Sequence, residues 1–522
     1  MTRRTLLLLV AILLFGALVR VRLLDLPLER DEGEYAYAGQ LMLQGIPPYQ
    51  LVYNMKFPGT YAAYAGLMAV FGETVGGIRF GLLLITAATA LLVYFLARRF
   101  YDDLGALTAA AVYTVLSLGF GAMGPYAHAT HFVALMATAA MLLLARDRPL
   151  LAGVFFGLAV LMKQPGIFFA LFALTWLVAT KRRKDAVRLI AGGAAVAMAT
   201  VVVLAAAGVF SRFWFWTIRY AQQYAAIGVL AEGIELLNFN LLGIVKSAPL
   251  LWVLVVAGLV IAGRRSPGLR PPSPRGARRG ALAPNAGGEG LLLGFFGASL
   301  LAVMPGFYFR EHYFLVTFPP AALLAGAAID WAAKRFGART AAVAIGAALV
   351  ISIGAQWGRW MRMPAEENIR TSYPGNPFVE APVIADYLRE HTRPEERIAV
   401  LGSEPEIFFY AKRKSATGYI YTYALTERQP FATKMTDEYI AEVENAKPRY
   451  VVMVSSAQSW LMRPDADKRI SEWMLRHLRH GYVLEGVAEI RPGQETVYRW
   501  GEEARRTEQQ SKNVLMIFRA TS

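Results

Sequence analysis

Four acids and an arginine crowd into six residues near the N-terminus, Glu29-Arg30-Asp31-Glu32-Gly33-Glu34, and Tyr35 and Tyr37 come directly after them. Residues 31–44 can form an amphipathic helix parallel to a membrane surface, ended by Gly45-Ile46-Pro47-Pro48. Such a helix would hold a carboxylate at the lipid–water boundary. The same acids also read as an ordinary first turn stabilised by the helix dipole, and local sequence weighs the two evenly. Lys56, two residues ahead of Pro58, offers a compact ammonium suited to a phosphate. A snorkelling lysine that anchors the interface is the commoner explanation. Arg79 raises the same choice. His128 and His131, three apart, could face one way on a helix, but two imidazoles alone make a poor metal site. Hydrogen bonding to a phosphate or acceptor, or plain packing, suits them better. No metal ligands are assigned; a divalent cation is allowed but has no clear ligand set.

These residues need a membrane frame around them. Hydrophobic residues make up 56% of the 522 and charged residues 18%, with a mean hydropathy of +0.37. A transmembrane helix needs about 20 apolar residues. About eleven apolar runs approach that length, near residues 5–24, 77–97, 104–122, 127–145, 150–163, 164–180, 187–210, 246–262, 290–306, 313–333 and 338–357. The net charge of +16 could suggest nucleic acid, but most of the Lys and Arg before residue 340 sit in short loops between these runs. That placement follows the positive-inside rule and puts the N-terminus in the cytoplasm. Residues 150–180 read as a hairpin of two short helices, because Arg148 and Lys181 must lie on one side. The Pro-, Gly- and Arg-rich stretch from Arg264 to Gly290 reads as a flexible cytoplasmic loop, able to meet anionic lipid head groups. Trp214, Trp216, Tyr220 and Tyr224 read as an aromatic belt before they read as a sugar-stacking surface. There is no cysteine, which excludes disulfides and thiolate chemistry.

The expected architecture is therefore mainly α. Residues 1–360 form a polytopic domain of about eleven transmembrane helices, with amphipathic interfacial helices in the first outer loop. Residues 361–522 carry mixed charge, with a helix-like segment at Val383–His391 and strand-like segments at Arg397–Leu401 and Arg449–Val454. They read as a soluble α/β domain. An odd number of crossings from a cytoplasmic start places it in the periplasm or outside the cell.

The order of short motifs resembles a known group. Asp31-Glu32-x-x-Tyr35-Ala36 after the first span is followed by Lys56-x-Pro58, Phe71-Gly72-Glu73 and Arg79-Phe80. Farther on come Lys163-Gln164-Pro165-Gly166, His312-Tyr313-Phe314-Leu315 and Pro319-Pro320. Together these are similar to glycosyltransferase family 39 and the aminoarabinose-transferase-like enzymes, C-type glycosyltransferases related to protein O-mannosyltransferases. The resemblance covers roughly residues 1–335, and the tail is similar to those of bacterial members. It implies transfer of a sugar from a polyprenyl-phosphate donor to a lipid, glycan or protein acceptor at the outer face of a bacterial inner membrane. Asp31 then matches the catalytic carboxylate, and Lys56 a residue that contacts the donor phosphate. Glu32, Tyr35, Arg79 and His312 match frequent substrate-side positions, and His128, His131, Lys163 and Arg310 are further candidates. The outer loop Gly124–Phe132 departs from the pattern, because relatives usually carry a second acid there.

Transfer by this route is physically reasonable. A positioned carboxylate base supplies about 10²–10⁴-fold in rate, and the leaving phosphate needs nearby cations. Direct attack without a covalent intermediate inverts the anomeric centre. A transporter or flippase for a lipid-linked sugar is the main alternative, but it calls for polar residues near mid-membrane, where the spans here are bland. A non-catalytic scaffold leaves the Asp31 and Lys56 spacing to accident.

Overall fold

The computed structural model describes residues 1–227, 230–265, 288–462 and 466–521. The expected basic loop lies largely outside the described residues.

Each of the expected spans coincides with a helix. Five helices are long and apolar enough to cross a membrane: Arg3–Arg22, Val75–Ala97, Arg183–Ala206, Glu311–Phe336 and Ala338–Arg362. The others are apolar but of 10–17 residues, among them Asp103–Ser117, Ala129–Ala145 and Pro149–Met162. The outermost helices keep apolar side chains uncovered, with Val343 and Val350 about two-thirds exposed, as lipid-facing positions require. The protein is a multi-pass membrane protein.

The basic ends of the helices gather at one end of the bundle. The Thr5 hydroxyl donates to Asp103 at 2.6 Å, the Asp102 amide donates to Asp330 at 3.1 Å, and Lys334 pairs with Asp330 at 2.8 Å. The 150–180 stretch is the expected hairpin: Arg182 beyond its second helix reaches Asp147 before its first at 2.8 Å. Lys163 ends the first helix at the opposite end, where Pro165 cannot continue it.

One expectation changes on folding. The Arg30–Leu43 helix exists, but it is enclosed, with ten residues from Glu32 to Leu41 buried. It packs against the Pro58–Phe71 helix on one side and against Glu406–Ala411 of the C-terminal part on another. An interfacial helix would keep its polar face wet; this one is covered by the tail. The segment after Phe210 carries the helices Phe210–Trp214 and Leu230–Ser247, with a π-helical turn at Phe215–Tyr220. Trp360 is fully buried, its indole N–H donating to the Leu118 carbonyl at 2.9 Å, so it is a packing residue.

The C-terminal part holds a six-stranded sheet of order β2-β1-β3-β6-β4-β5. Its strands are β1 Arg397–Leu401, β2 Lys414–Ser415, β3 Tyr450–Ser455, β4 Tyr482–Glu489, β5 Val497–Trp500 and β6 Val514–Ala520. β1 is parallel to β2 and β3, and the other pairings are antiparallel. Ile398 to Leu401 of β1 are all buried, as a strand between two parallel neighbours requires. The turn after β1, Gly402-Ser403-Glu404-Pro405, opens toward the Arg30–Leu43 helix.

Candidate functional site

Asp31 is placed by the way its helix begins. Glu29 is the N-cap: its carboxylate accepts from the Glu32 amide at 2.9 Å, and Glu32 accepts in return from the Glu29 amide at 3.2 Å. This reciprocal capping box fixes the first turn and leaves Asp31 facing a cavity of about 700 Å³. Lys56 lies one residue before the N-cap of the Pro58–Phe71 helix, whose proline at N1 presets the chain direction.

The two residues meet. Lys56 Nζ donates to Asp31 Oδ1 at 2.7 Å and to Glu34 Oε2 at 2.6 Å, and it sits 4.6 Å from the centre of the Tyr35 ring. Burial opposes charge on both partners, but pairing overrides it. Lys56 holds the Asp31 carboxyl well below the usual carboxylate range, and Asp31 with Glu34 holds Lys56 well above the usual lysine range. Glu34 is pushed up by burial despite hydrogen bonds from Lys56 and Tyr61. Asp31 is the larger of the two carboxylate influences that favour the charged form of Lys56.

Opposite this pair, the His128 and His312 rings stack at 4.0 Å with 12° between their planes. His312 Nε2 is 4.0 Å from Asp31 Oδ2. His128 lies just before the Ala129–Ala145 helix and His312 in the turn at Glu311–Thr317. The expected pairing of His128 with His131 does not occur. His131 turns away, its Nε2 at 3.0 Å from the Gly124 carbonyl, because the left-handed turn at Met123 folds the preceding loop back beneath it.

Lys163 and Arg310 line the same cavity. Lys163 Nζ lies 3.9 Å over the Tyr313 ring, and among the described residues neither cation has a carboxylate partner. Trp216, Tyr220 and Tyr224 also line it, so the expected aromatic belt is in part a cavity wall; Trp214 alone stays about half exposed. Glu32 and Arg79 lie beneath the site. They are buried against each other, Nη2 to Oε2 at 2.8 Å, and Arg79 also donates to the carbonyls of Pro27 at 3.1 Å and Leu26 at 3.2 Å. That makes them a support for the helix start; neither lines the cavity, where substrate contact was expected.

Several residues here went unread in the sequence. Tyr421 donates to the Arg30 carbonyl at 3.0 Å and lies 3.3 Å from Asp31 Oδ1; Tyr373 contacts His128 Nε2 at 3.2 Å; Tyr423 and Glu427 line the wall. The alternation Tyr419-x-Tyr421-x-Tyr423 outside any strand was the available signal.

One donor set emerges that the sequence did not offer. Oxygen of Asp31 and ring nitrogens of His128 and His312 lie within 4.8 Å of one another. Two imidazoles and a carboxylate suit zinc or a similar divalent cation, and among the described residues His128 Nδ1 is buried without a hydrogen-bond partner, 3.6 Å from Glu29 Oε1. The residues fit a metal. Adding zinc to the chelated protein should stabilise it by about 2.7 kcal/mol at one hundred times the dissociation constant. The combined change His128→Ala with His312→Ala should abolish that thermal shift. A shift that survives in the variant places the metal elsewhere.

Comparison with known proteins agrees with this architecture. Residues 56–206 match the sequence family described as dolichyl-phosphate-mannose-protein mannosyltransferase. The resemblance to family 39 and aminoarabinose-transferase-like enzymes is thereby upheld. No curated protein sequence matches the chain. Among solved structures, ArnT from Cupriavidus metallidurans bound to undecaprenyl phosphate is 15% identical, with 98% of each chain covered and a TM-score of 0.61. The Archaeoglobus fulgidus oligosaccharyltransferase in its apo form is 15% identical over 95% of this chain and 74% of its own, with a TM-score of 0.53. AglB from the same organism, in complex with an inhibitory peptide and a dolichol-phosphate, gives 15%, the same coverage and 0.51. At such identities the likeness is one of fold.

Proposed function

We propose that this chain is an inverting membrane glycosyltransferase. It moves a sugar from a polyprenyl-phosphate donor, of the undecaprenyl-phosphate type, to an acceptor hydroxyl at the outer face of a bacterial inner membrane. One observation carries the reading: a carboxylate with one oxygen free of hydrogen bonds among the described residues faces a cavity lined also by the cations Lys56, Lys163 and Arg310, at the end of the bundle opposite its basic loops. The similarity of fold to proteins solved with undecaprenyl phosphate and dolichol-phosphate supports the donor class.

In this reading Asp31 Oδ2 takes the acceptor proton as the acceptor oxygen bonds to the anomeric carbon. The bond from that carbon to the phosphate oxygen breaks, and its electron pair leaves with the polyprenyl phosphate. The cations stabilise the charge that develops there. A base held far below neutral pH is weak, and the pairing suggests how it is released: a donor phosphate that shares Lys56 removes part of the charge holding Asp31 down. A divalent cation on Asp31, His128 and His312 would draw on Oδ2, the oxygen that faces His312, and so would compete with the base role of Asp31.

A direct consequence concerns Lys56→Met. Asp31 must be unprotonated to act, so activity in the wild type persists above its depressed pKa and is lost as pH falls through it. Without the ammonium that pKa rises, and the acid limb of kcat/KM should move to higher pH by about one unit or more, while donor KM rises. An acid limb that stays put would remove Lys56 from this role.

Transfer and transport are separated by one experiment. Proteoliposomes carrying labelled donor in the outer leaflet should lose it to an acceptor, with inverted configuration in the product. Intact donor recovered from the inner leaflet, with no transfer, would make the protein a flippase.

A further inference from the structure

The carboxyl end of parallel strands is where α/β folds bind ligands, and here that place is taken by a residue of the same chain. Arg30, the neighbour of Asp31, reaches into the turn after β1. Its Nη2 donates to Glu404 Oε1 at 2.7 Å and to Asn376 Oδ1 at 3.0 Å, and its Nε donates to the Ser403 carbonyl at 2.5 Å. Glu404 is fully buried, and its other oxygen accepts from the Ser459 hydroxyl at 2.5 Å. The guanidinium is thus read from several sides by groups already fixed in the sheet's crevice.

Tyr421 completes the grip. Its hydroxyl donates to the Arg30 carbonyl at 3.0 Å and stands 3.3 Å from Asp31 Oδ1, and its ring centre is 5.4 Å from Lys56 Nζ. Farther along the same helix, a methyl group at Gly33 would come within 2.6 Å of the Glu406 backbone nitrogen, so helix and tail approach as closely as backbones can. Tyr37 accepts from the Ser415 amide at 2.7 Å one turn on. These contacts have one geometric result. Oδ1 of Asp31 is occupied by Lys56 and Tyr421, and Oδ2 alone faces His312 and the cavity.

We propose that the C-terminal part is a positioning element of the site, holding Asp31 through Tyr421 and the anchored Arg30 so that Oδ2 is the oxygen that takes the acceptor proton. Tyr421 acts through Asp31 and is a positioning residue. The proposal rests on the assignment of Asp31 as base, but its structural half, that the tail fixes the start of the Arg30–Leu43 helix, stands by itself.

The test uses the full chain in nanodiscs as wild type, Tyr421→Phe and Gly33→Ala. It reads kcat, donor KM, thermal midpoint and amide hydrogen exchange over residues 29–36. Loss of the hydroxyl that Tyr421 shares between the Arg30 carbonyl and Asp31 Oδ1 should lower kcat about tenfold in Tyr421→Phe, with donor KM within about twofold and an unchanged midpoint. Exchange over residues 29–36 should rise about fivefold, reporting local opening. Gly33→Ala, which wedges the tail away, should raise exchange further. Wild-type kcat together with wild-type exchange in Tyr421→Phe overturns the proposal, as does a rise in donor KM that accounts for the whole loss. If wild type transfers nothing from a broad donor panel, the functional reading fails; exchange then decides the tether alone, supporting it if raised in both variants and refuting it if not.

Discussion

Asp31→Asn should lower sugar transfer by about 10²–10⁴-fold, the contribution of a positioned general base, while leaving the protein folded. The substitution keeps the side chain's shape and removes only its charge and basicity. Such a change often destabilises a buried pair by stranding the partner, but Lys56 retains Glu34 Oε2 at 2.6 Å. Glu34 then remains as the carboxylate beside the ammonium. Donor binding should persist or tighten, because Lys56 loses a competitor of the phosphate. Transfer rate, donor affinity and thermal midpoint of the purified variant check this together. Loss of transfer with a collapsed midpoint would point to folding instead of chemistry.

The second large effect is on stability. Glu32 is fully buried and Arg79 nearly so. Arg79→Met leaves a carboxylate in a dry environment with only the Ala127 and Glu29 amides as partners among the described residues. Breaking a buried pair from one side costs about 3–5 kcal/mol. The consequence reaches the site, because Glu32 closes the capping box that orients Asp31 and also holds Ala127, the residue before His128. The midpoint should fall steeply and transfer with it. Combining Arg79→Met with Glu32→Leu should recover part of the stability, since no buried charge is then stranded, though the carbonyls of Leu26 and Pro27 still lose their donor and the amides of Glu29 and Ala127 their acceptor. Were Arg79 instead a donor ligand, the single variant would keep its midpoint and raise donor KM.

The parts of this arrangement that the sequence revealed are those written locally. Apolar runs marked each helical segment, and the lone proline in Lys163-Gln164-Pro165 with basic residues at both ends marked the hairpin. Asp31 and Lys56 stood out because acids and a lysine at the edge of apolar runs are unusual. Arg79 looked the same as Lys56 from the sequence, yet one lines a cavity and the other supports a helix. What separates them is whether a carboxylate from a distant segment covers the charge, and no local pattern records that. His128 found its partner in His312 and not in His131 because tertiary folding, not helical spacing, sets which imidazoles meet. Tyr421 lies 390 positions from Asp31. An amphipathic period shows which face of a helix is apolar, but it does not say whether lipid, water or another part of the chain lies against the polar face. That is why the Arg30–Leu43 helix read as interfacial and is enclosed.

The most direct test of the central claim is the stoichiometry of a single turnover reaction in native-lipid nanodiscs. Polyprenyl-phosphate sugars labelled in both sugar and lipid are offered with cell-envelope acceptors, and free polyprenyl phosphate and glycosylated acceptor are counted. The account predicts equal amounts of the two products with at least one donor, dependent on acceptor and lost in Asp31→Asn. Equal yields from wild type and Asp31→Asn, or consumption of donor with no sugar on any acceptor, would contradict it.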